Sequence, residues 1–323
     1  MTPIKVLDPK KINIVFFGTP EFAAHQLEVL INNNYNVVAV VTAPDRGSGR
    51  GQKTKPSAVK ELALAHHIEI FQPPNLKDET FINSLAHIKA QLFVVVAFRM
   101  LPKLVWSMPE YGTFNLHASL LPNYRGAAPI NWVLINGEKK TGVSTFLIDH
   151  KIDTGDVLMQ EELVIQKEDD LKSVHDKLML LGGPLIIKTI NCLVEGSVVA
   201  KKQKQNLNLK SAPKLNNENT RIDWKQNGGD IENLIKGLSP YPVAWTHFVE
   251  DDQIFRLKIY KASYLNQKHK LQVGHFYIND QKINIAVRDG YIVVDELQFP
   301  NKKRMSVKDL LNGRKLNDYA FFE

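Results

Sequence analysis

The chain has 323 residues, of which 44% are hydrophobic and 23% charged, a composition typical of globular proteins. Its length predicts two domains rather than one. A single cysteine excludes a disulfide framework and favours a reducing compartment such as the cytoplasm. The formal net charge of +7 suits a polyanionic partner, although bulk charge alone does not select one. Because the sequence offers neither a signal peptide nor an obvious membrane span, we expect no membrane partner.

The first part of the chain alternates predicted strands with predicted helices. The strands are short, continuous apolar runs, as expected for buried parallel strands, and the helices place apolar residues at helical spacing. In chain order we predict strand 12–17, helix 21–31, strand 35–42, helix 57–66, strand 68–71, helix 78–88, strands 91–97 and 112–117, a strand pair at 141–148 and 157–165, and helix 171–194. This βα repetition predicts an α/β domain with a Rossmann-like, mostly parallel sheet covered on both faces.

The composition changes after Gly196. Residues 198–214 contain five lysines and no acidic residue, which predicts a basic linker. Beyond it we predict a helix at 229–238 and short strands at 244–249, 254–262, 274–278, 282–286 and 291–298. Short strands separated by turn residues indicate a small antiparallel β-barrel of the OB-like kind. The predicted organisation is therefore a first domain over 1–197, a linker over 198–214 and a barrel domain over 215–323.

Two polar side chains mark the end of the predicted strand 112–117. Asn115 and His117 are two residues apart, so both side chains emerge on the same face of the strand. They lie at its carboxyl end, where open α/β sheets bind their ligands. An amide and an imidazole side by side can reach one carbonyl oxygen, the amide donating to a developing oxyanion and the imidazole donating or shuttling a proton.

A polar loop between two later strands, residues 149–156, supplies carboxylates. Asp149, Asp153 and Asp156 could each orient His117 and accept the proton that an attacking amine loses, and spacing does not choose among them. The competing interpretation is structural, with Asn115 ending a strand and a core histidine at 117. The carboxylate loop favours a catalytic site.

These motifs resemble those of the folate-dependent formyltransferases. The resemblance depends on Asn-x-His-x-Ser-Leu-Leu-Pro at 115–122, followed by Asp-Thr-Gly at 153–155. Among these enzymes, those that formylate methionyl-tRNA are similar nearly end to end. Further matching segments occur, in order, at 17–23, 44–46, 49–51, 120–129, 141–143, 215, 221–224 and 240–242. The ordered set covers both predicted domains.

The resemblance implies a reaction and a catalytic trio. The formyl group of 10-formyltetrahydrofolate would pass to the α-amino group of methionine on initiator tRNA, for translation initiation in the cytoplasm. Asn115 and His117 would stabilise the tetrahedral oxyanion. Asp153, which matches the aspartate of the family's Asp-Thr-Gly, would support the charged imidazole and manage proton transfer through water. No metal is expected, and no obligate protein partner is evident.

The resemblance also implies where the folate co-substrate binds. The pterin would lie between the aspartate loop and the loop after strand 91–97. The residues implied in folate binding are Phe98, Arg99 and Met100 on that loop and Ser119, Leu120, Leu121 and Pro122 after strand 112–117. The loop at 98–102 departs from the usual tRNA-enzyme pattern, which has a glycine and one more residue, so the contacts implied there are those of its backbone.

A basic segment predicts contact with RNA phosphates. Residues 42–60 contain five basic residues, one acidic residue and several glycines, which is consistent with a solvated loop or with a phosphate clamp. The resemblance assigns this segment to the tRNA acceptor arm. The implied contacts are Arg46, Arg50, Lys53 and Lys55. The lysine-rich linker and residues 302–304 add positive charge, from which we expect the barrel domain to hold the tRNA body.

Three alternatives remain open from sequence. A formyltransferase acting on a small amine would use the same Asn–His–Asp machinery, and a hydrolase would replace the amine with water. The third alternative is an RNA-binding protein that keeps the fold without catalysis. The basic loop and the second domain favour a tRNA substrate, because a small amine requires neither.

Overall fold

A computed structural model of the chain describes residues 8–48, 53–204, 208–317 and 319–323. Its helices are α1 (Glu21–Asn32), α2 (Ala58–Ala65), α3 (Glu79–His87), α4 (Lys103–Trp106), α5 (Pro129–Ile135), α6 (Leu171–Val194), α7 (Gly228–Leu238) and α8 (Val307–Gly313). The strands of the N-terminal half are β1 (Ile14–Gly18), β2 (Val37–Val41), β3 (Arg46–Ser48), β4 (Lys53–Lys55), β5 (Glu69–Phe71), β6 (Leu92–Val96), β7 (Thr113–His117), β8 (Arg125–Gly126), β9 (Lys140–Leu147) and β10 (Val157–Val164). Those of the C-terminal half are β11 (Ser211–Ala212), β12 (Ala244–Glu250), β13 (Gln253–Leu265), β14 (Phe276–Asn279), β15 (Lys282–Val287), β16 (Gly290–Gln298), β17 (Met305–Ser306) and β18 (Phe321–Phe322).

The first sheet has seven strands in the order β10-β9-β7-β6-β1-β2-β5. Its five strands from β7 to β5 pair in parallel, whereas β9 runs antiparallel to β7. All five residues of β1 and of β6 are buried, as continuous apolar runs require at the centre of such a sheet. The predicted Rossmann-like, mostly parallel sheet is therefore confirmed. Because β6 and β7 are parallel neighbours, the loops after them leave from the same edge.

The long helix α6 packs closely against the strand that carries the predicted site. A Cβ atom on Gly182 would lie 2.6 Å from Cδ2 of Leu116 in β7, so the absence of a side chain permits this approach. By length and composition, α6 is the one helix in the described residues that could cross a membrane. Ile186 and Ile190 are nevertheless fully buried within the protein, which is what a core helix shows.

The second sheet is antiparallel and curled. Its strands follow the order β14-β15-β16-β13-β12-β18, and β17 pairs with β16 outside this path. The backbone N–H of Phe322 in β18 donates to the carbonyl of Gly274, just before β14, at 2.9 Å. The two edges of the sheet thus approach each other, and the predicted antiparallel barrel is confirmed. Its core includes the fully buried Phe248 and the indole of Trp224, whose Nε1 donates to Thr246 Oγ1 at 2.8 Å.

The protein divides into two compact units that do not follow chain order. One comprises Met1–Gly126, Thr141–Val164 and Asp176–Ser211, and the other Ala127–Lys140, Ile165–His175 and Ala212–Glu323. Much of the segment predicted as a linker thus lies in the first unit, where Lys201 exchanges two backbone hydrogen bonds of 2.8 Å with Val157. The functional boundaries at 197 and 214 stay predictions.

Candidate active site

Asn115 occupies the middle of β7 among apolar neighbours. It pairs in register with Val95 of β6 and Phe146 of β9, both buried. Its Oδ1 atom is buried and finds no hydrogen-bond partner among the residues that the structure describes. Unpaired buried polar atoms are costly and therefore few in folded proteins, and functional sites are one place where they persist. Asn115 is thus suited to bind a ligand through its carboxamide.

His117 ends the same strand and is 6% exposed. Its Nε2 donates to the carbonyl oxygen of Tyr124 at 2.8 Å, and since a carbonyl only accepts, this nitrogen carries the proton. The other ring nitrogen, Nδ1, faces Asp153 Oδ2 at 3.8 Å, which is an ion-pair distance rather than a hydrogen bond. The carbonyl of Tyr124 therefore holds the ring by a hydrogen bond at one nitrogen, while the carboxylate of Asp153 faces the other.

The structure distinguishes among the three candidate aspartates. Asp153 is the one whose carboxylate faces His117, and its Oδ2 also accepts a hydrogen bond of 2.9 Å from the backbone N–H of Gly126. Asp149 instead serves the loop itself, because its carboxylate accepts from Thr154 Oγ1 at 2.8 Å. The backbone of Asp156 also acts within the loop, accepting from the N–H of Leu147 at 3.0 Å.

The backbone of this aspartate loop is closely constrained. Asp153 has a φ of +54°, the left-handed region that residues with a Cβ seldom adopt. At Gly155 a Cβ would lie 1.7 Å from the carbonyl oxygen of Leu147, so only glycine fits. This geometry explains the Asp-Thr-Gly motif. Its first residue supplies the carboxylate, and its third must be glycine because the carbonyl of Leu147 approaches it closely.

The loop at 119–122 is fixed by buried polar contacts. Ser119 is fully buried, and its hydroxyl donates to the carbonyl of Asn123 at 2.8 Å. Ser144 Oγ donates to the carbonyl of Ser119 at 2.6 Å and accepts from the N–H of Leu121 at 3.1 Å. Gln160 Nε2 donates to the carbonyl of Leu121 at 2.9 Å. Ser119 therefore shapes the loop through its side chain.

Sequence reasoning did not identify Ser144 and Gln160. They lie on the adjacent strands β9 and β10, far along the chain from residues 119–122, and neither belongs to a motif that marks a site. Their role depends on strand pairing, which sequence spacing does not reveal. By contrast, the short spacing of Asn115 and His117 on one strand made that pair recognisable.

The loop after β6 borders a cavity. Arg99 anchors it, donating to the carbonyl of Pro74 at 2.8 Å and also to that of Pro73. The ring of Phe98 packs on Phe17 with centroids 5.8 Å apart, while Met100 is 62% exposed. A cavity of about 490 Å³ is lined by residues 74–77, 99–103, Trp106 and His150. The loop after β6 and the aspartate loop therefore border the same cavity.

The basic segment forms a short hairpin. Strands β3 and β4 pair antiparallel, with Arg46 opposite Lys55 and Ser48 opposite Lys53. Lys55 is exposed, whereas the side chains of Arg46 and Lys53 lie outside the described part of the structure. Arg50 falls wholly outside the described residues. The structure thus places two basic positions directly across the hairpin from each other.

The base of this hairpin is anchored by Asp45. Its carboxylate accepts from Lys60 Nζ at 2.5 Å and from Gln72 Nε2 at 2.7 Å. The hydrogen bond from Lys60, followed by that from Gln72, lowers the pKa of Asp45 below its ordinary value. Thr42 and Ser57, on either side of the hairpin, share a hydroxyl hydrogen bond of 2.7 Å. One basic residue of the segment, Lys60, is consequently engaged by the protein itself.

Comparison with known proteins gives one consistent result. The Formyl transferase family model matches residues 10–190, and the Formyl transferase, C-terminal domain model matches residues 214–315. A methionyl-tRNA formyltransferase of Flavobacterium johnsoniae is 51% identical over 311 residues, which cover 96% of this chain and 99% of the relative. Another of Bacteroides fragilis is 46% identical over 312 residues, covering 95% and 96%.

Solved structures share the fold at lower identity. The sugar 3N-formyl transferase WlaRD, determined in the presence of dTDP and 5-N-formyl-THF, has a TM-score of 0.64 and 22% identity, covering 90% of this chain and 99% of its own. An N-formyltransferase from Helicobacter canadensis, in complex with folinic acid and dTDP-3-aminofucose, has a TM-score of 0.62 and 22% identity, covering 88% and 98%. At this identity the likeness concerns the fold.

Proposed function

The chain belongs to the formyl transferase family, and we propose that it transfers the formyl group of 10-formyltetrahydrofolate to the α-amino group of methionine on initiator tRNA. The observation that carries this proposal is the end-to-end similarity to methionyl-tRNA formyltransferases, at 45–51% identity in several relatives. The product initiates protein synthesis. We accordingly propose that the enzyme acts in the cytoplasm, where charged tRNA and folate meet.

The proposed chemistry places each polar group of the site in one role. The methionyl nitrogen forms a bond to the formyl carbon, the carbonyl electrons move to oxygen, and the bond from carbon to N10 of the folate then breaks. Asn115 donates through its NH2 group to the oxyanion, a role supported by its place in β7, two residues before His117 and on the same face of the strand. The proton lost by the amine passes by way of Asp153 and water towards N10, while His117 adds positive charge beside the oxyanion when protonated.

The proposed folate site is the cavity between the loop after β6 and the aspartate loop. Support comes from its lining, which includes Arg99, Met100 and His150, and from its size of about 490 Å³, within the range of small-molecule sites. Phe98 begins this loop and its ring packs on that of Phe17, and we propose that it borders the pterin together with Arg99 and Met100. Residues 119–122 would border the folate as a rigid loop held by Ser144.

The proposed tRNA contact in the first unit is the β3–β4 hairpin. Arg46 and Lys55 are cross-strand neighbours, and the hairpin is anchored at Asp45 close to the carboxyl end of β2. A pair of basic residues on a hairpin can bind successive phosphates without reading bases. We propose that these two residues, together with Arg50 and Lys53, hold the acceptor arm, and that the barrel domain binds the tRNA body through its phosphates.

A product analysis tests this proposal. The protein would be incubated with 10-formyltetrahydrofolate and methionyl-initiator tRNA, uncharged tRNA, a small amine or water alone, and the formylated product identified by mass spectrometry. We expect formyl-methionyl-tRNA as the product. Formylation of the small amine alone would refute the tRNA assignment, formate release alone would indicate a hydrolase, and binding of tRNA without any product would indicate a non-catalytic relative.

A further inference from the structure

One side chain of the segment predicted as a linker, residues 198–214, lies at the active site. Gln203 is half-buried, and its amide uses its full hydrogen-bonding capacity. Its Oε1 accepts from Nε and Nη2 of Arg125, at 3.0 and 2.6 Å. Its Nε2 donates to the carbonyl oxygens of Asp153 and Gly155, at 2.9 and 2.7 Å. One amide therefore joins the aspartate loop to the segment that begins β8.

We propose that Gln203 is a positioning residue that fixes the carboxylate of Asp153 for the transfer reaction, an inference that rests on the proposed function. The left-handed conformation at Asp153, with φ of +54°, is unfavourable for a residue with a Cβ and persists where the surroundings enforce it. Gln203 supplies that enforcement, because it binds the carbonyl of Asp153 itself and that of Gly155 two residues later.

Hydrogen bonds link His117 and Asp153, the catalytic pair, through residues 124–126 and Gln203. The Asp153 carboxylate accepts from the N–H of Gly126, and the neighbouring Arg125 is held by Gln203, which returns to the backbone of Asp153. The carbonyl of Tyr124, next in the same segment, receives the Nε2–H of His117. His117 and Asp153 are thus both hydrogen-bonded to residues 124–126. Gln203 sets the distance between that segment and the aspartate loop.

Removing the Gln203 side chain need not release the segment that carries it. Lys201 is held by two backbone hydrogen bonds to Val157, and the carbonyl of Lys210 accepts from the N–H of Tyr124 at 2.6 Å. These bonds lie on both sides of Gln203 and involve no side chain. A substitution at 203 therefore tests the amide rather than the attachment of the chain.

The first experiment compares Gln203→Ala and Gln203→Glu with Gln166→Ala, which removes the same amide from an exposed position. We expect kcat to fall by roughly 10- to 100-fold in both Gln203 variants, since about 1 Å of misplacement can cost on the order of a hundredfold in rate. KM for both substrates and the unfolding midpoint should stay close to the native values. Gln203→Glu keeps an oxygen that accepts from Arg125, but it replaces the donating NH2 group with a second oxygen that faces the carbonyl oxygens of Asp153 and Gly155. It should therefore not rescue turnover.

A double-mutant cycle with Asp153→Asn separates positioning from general structure. If Gln203 acts through Asp153, adding Gln203→Ala to Asp153→Asn should lower kcat by less than about twofold further. Three outcomes would overturn the proposal although the native enzyme still formylates methionyl-tRNA. The effects of the two substitutions on kcat could be fully additive, or Gln203→Ala could keep the native kcat. Gln203→Ala could also raise KM for tRNA at unchanged kcat. Native turnover in Asp153→Asn alone would also overturn the proposal, by removing the role that Gln203 is said to support. Failure of the proposed function would show differently, as native protein that makes no formyl-methionyl-tRNA.

Discussion

Replacing Asn115 with leucine should lower activity and raise stability. The carboxamide lies between Val95 and Phe146 on adjacent strands, and its buried Oδ1 has no partner in the described residues. Burying an unpaired polar group costs about 1–3 kcal/mol, and leucine of similar size removes that cost. We therefore expect the free energy of unfolding to rise by about 1 kcal/mol or more. Loss of an oxyanion donor should at the same time lower kcat by roughly 100- to 1,000-fold.

Denaturant unfolding and steady-state formylation of methionyl-tRNA measure the two effects on the same preparation. Asn191→Leu is the contrasting control, because Asn191 Oδ1 accepts from the hydroxyl of the buried Tyr35 at 2.6 Å. That substitution leaves the hydroxyl unpaired and should lower stability by about 1–3 kcal/mol without changing kcat. An Asn115→Leu protein that is less stable than native, or that retains native turnover, would refute the assignment of Asn115 as a ligand-binding amide.

Three further predictions concern the loops around the site and the binding of tRNA. Gly155→Ala should lower kcat severalfold or more because its Cβ would lie 1.7 Å from the carbonyl of Leu147, whereas Gly229→Ala, with open space around it, should retain native kinetics. Asp45→Asn removes the ion pair with Lys60 and should raise KM for methionyl-tRNA with little change in kcat. An unchanged KM would show that tRNA binding does not need this anchor of the hairpin. Asp280→Asn, on an exposed turn, is the control. KM for methionyl-tRNA should also rise steeply with salt while KM for the folate changes little, and a flat response would contradict binding through phosphates.

The sequence predicted most of the secondary structure because the apolar patterns are strong and local. The strand at 91–97 corresponds to β6, and the predicted helix at 171–194 has the bounds observed for α6. The hairpin β3–β4 and the short helix α4 were not predicted, since their residues carry no apolar periodicity. The hairpin is accompanied by a contact between Asp45 and Lys60, which joins residues 15 positions apart and which sequence spacing does not reveal.

The candidate site was predictable to the extent that its residues lie in compact motifs. Asn115 and His117 are two residues apart on one strand, and strand geometry alone places both side chains on one face. The choice of Asp153 over its neighbours came from family resemblance at the sequence level. In the structure, the 3.8 Å separation of Asp153 Oδ2 from His117 Nδ1 supports the same choice.

The amino-acid sequence by itself determined the α/β class of the first sheet, the antiparallel barrel and the residues that belong to the formyl transferase motifs. The sheet and the barrel follow from periodicity and local spacing, whereas the motif residues follow from resemblance to the family. Only the tertiary structure revealed that the carbonyl of Tyr124 orients His117 and that Gln203 holds the loop of Asp153. These contacts span 7 residues in one case and 50 in the other, and they involve backbone carbonyls, which every residue possesses and which no sequence pattern can mark.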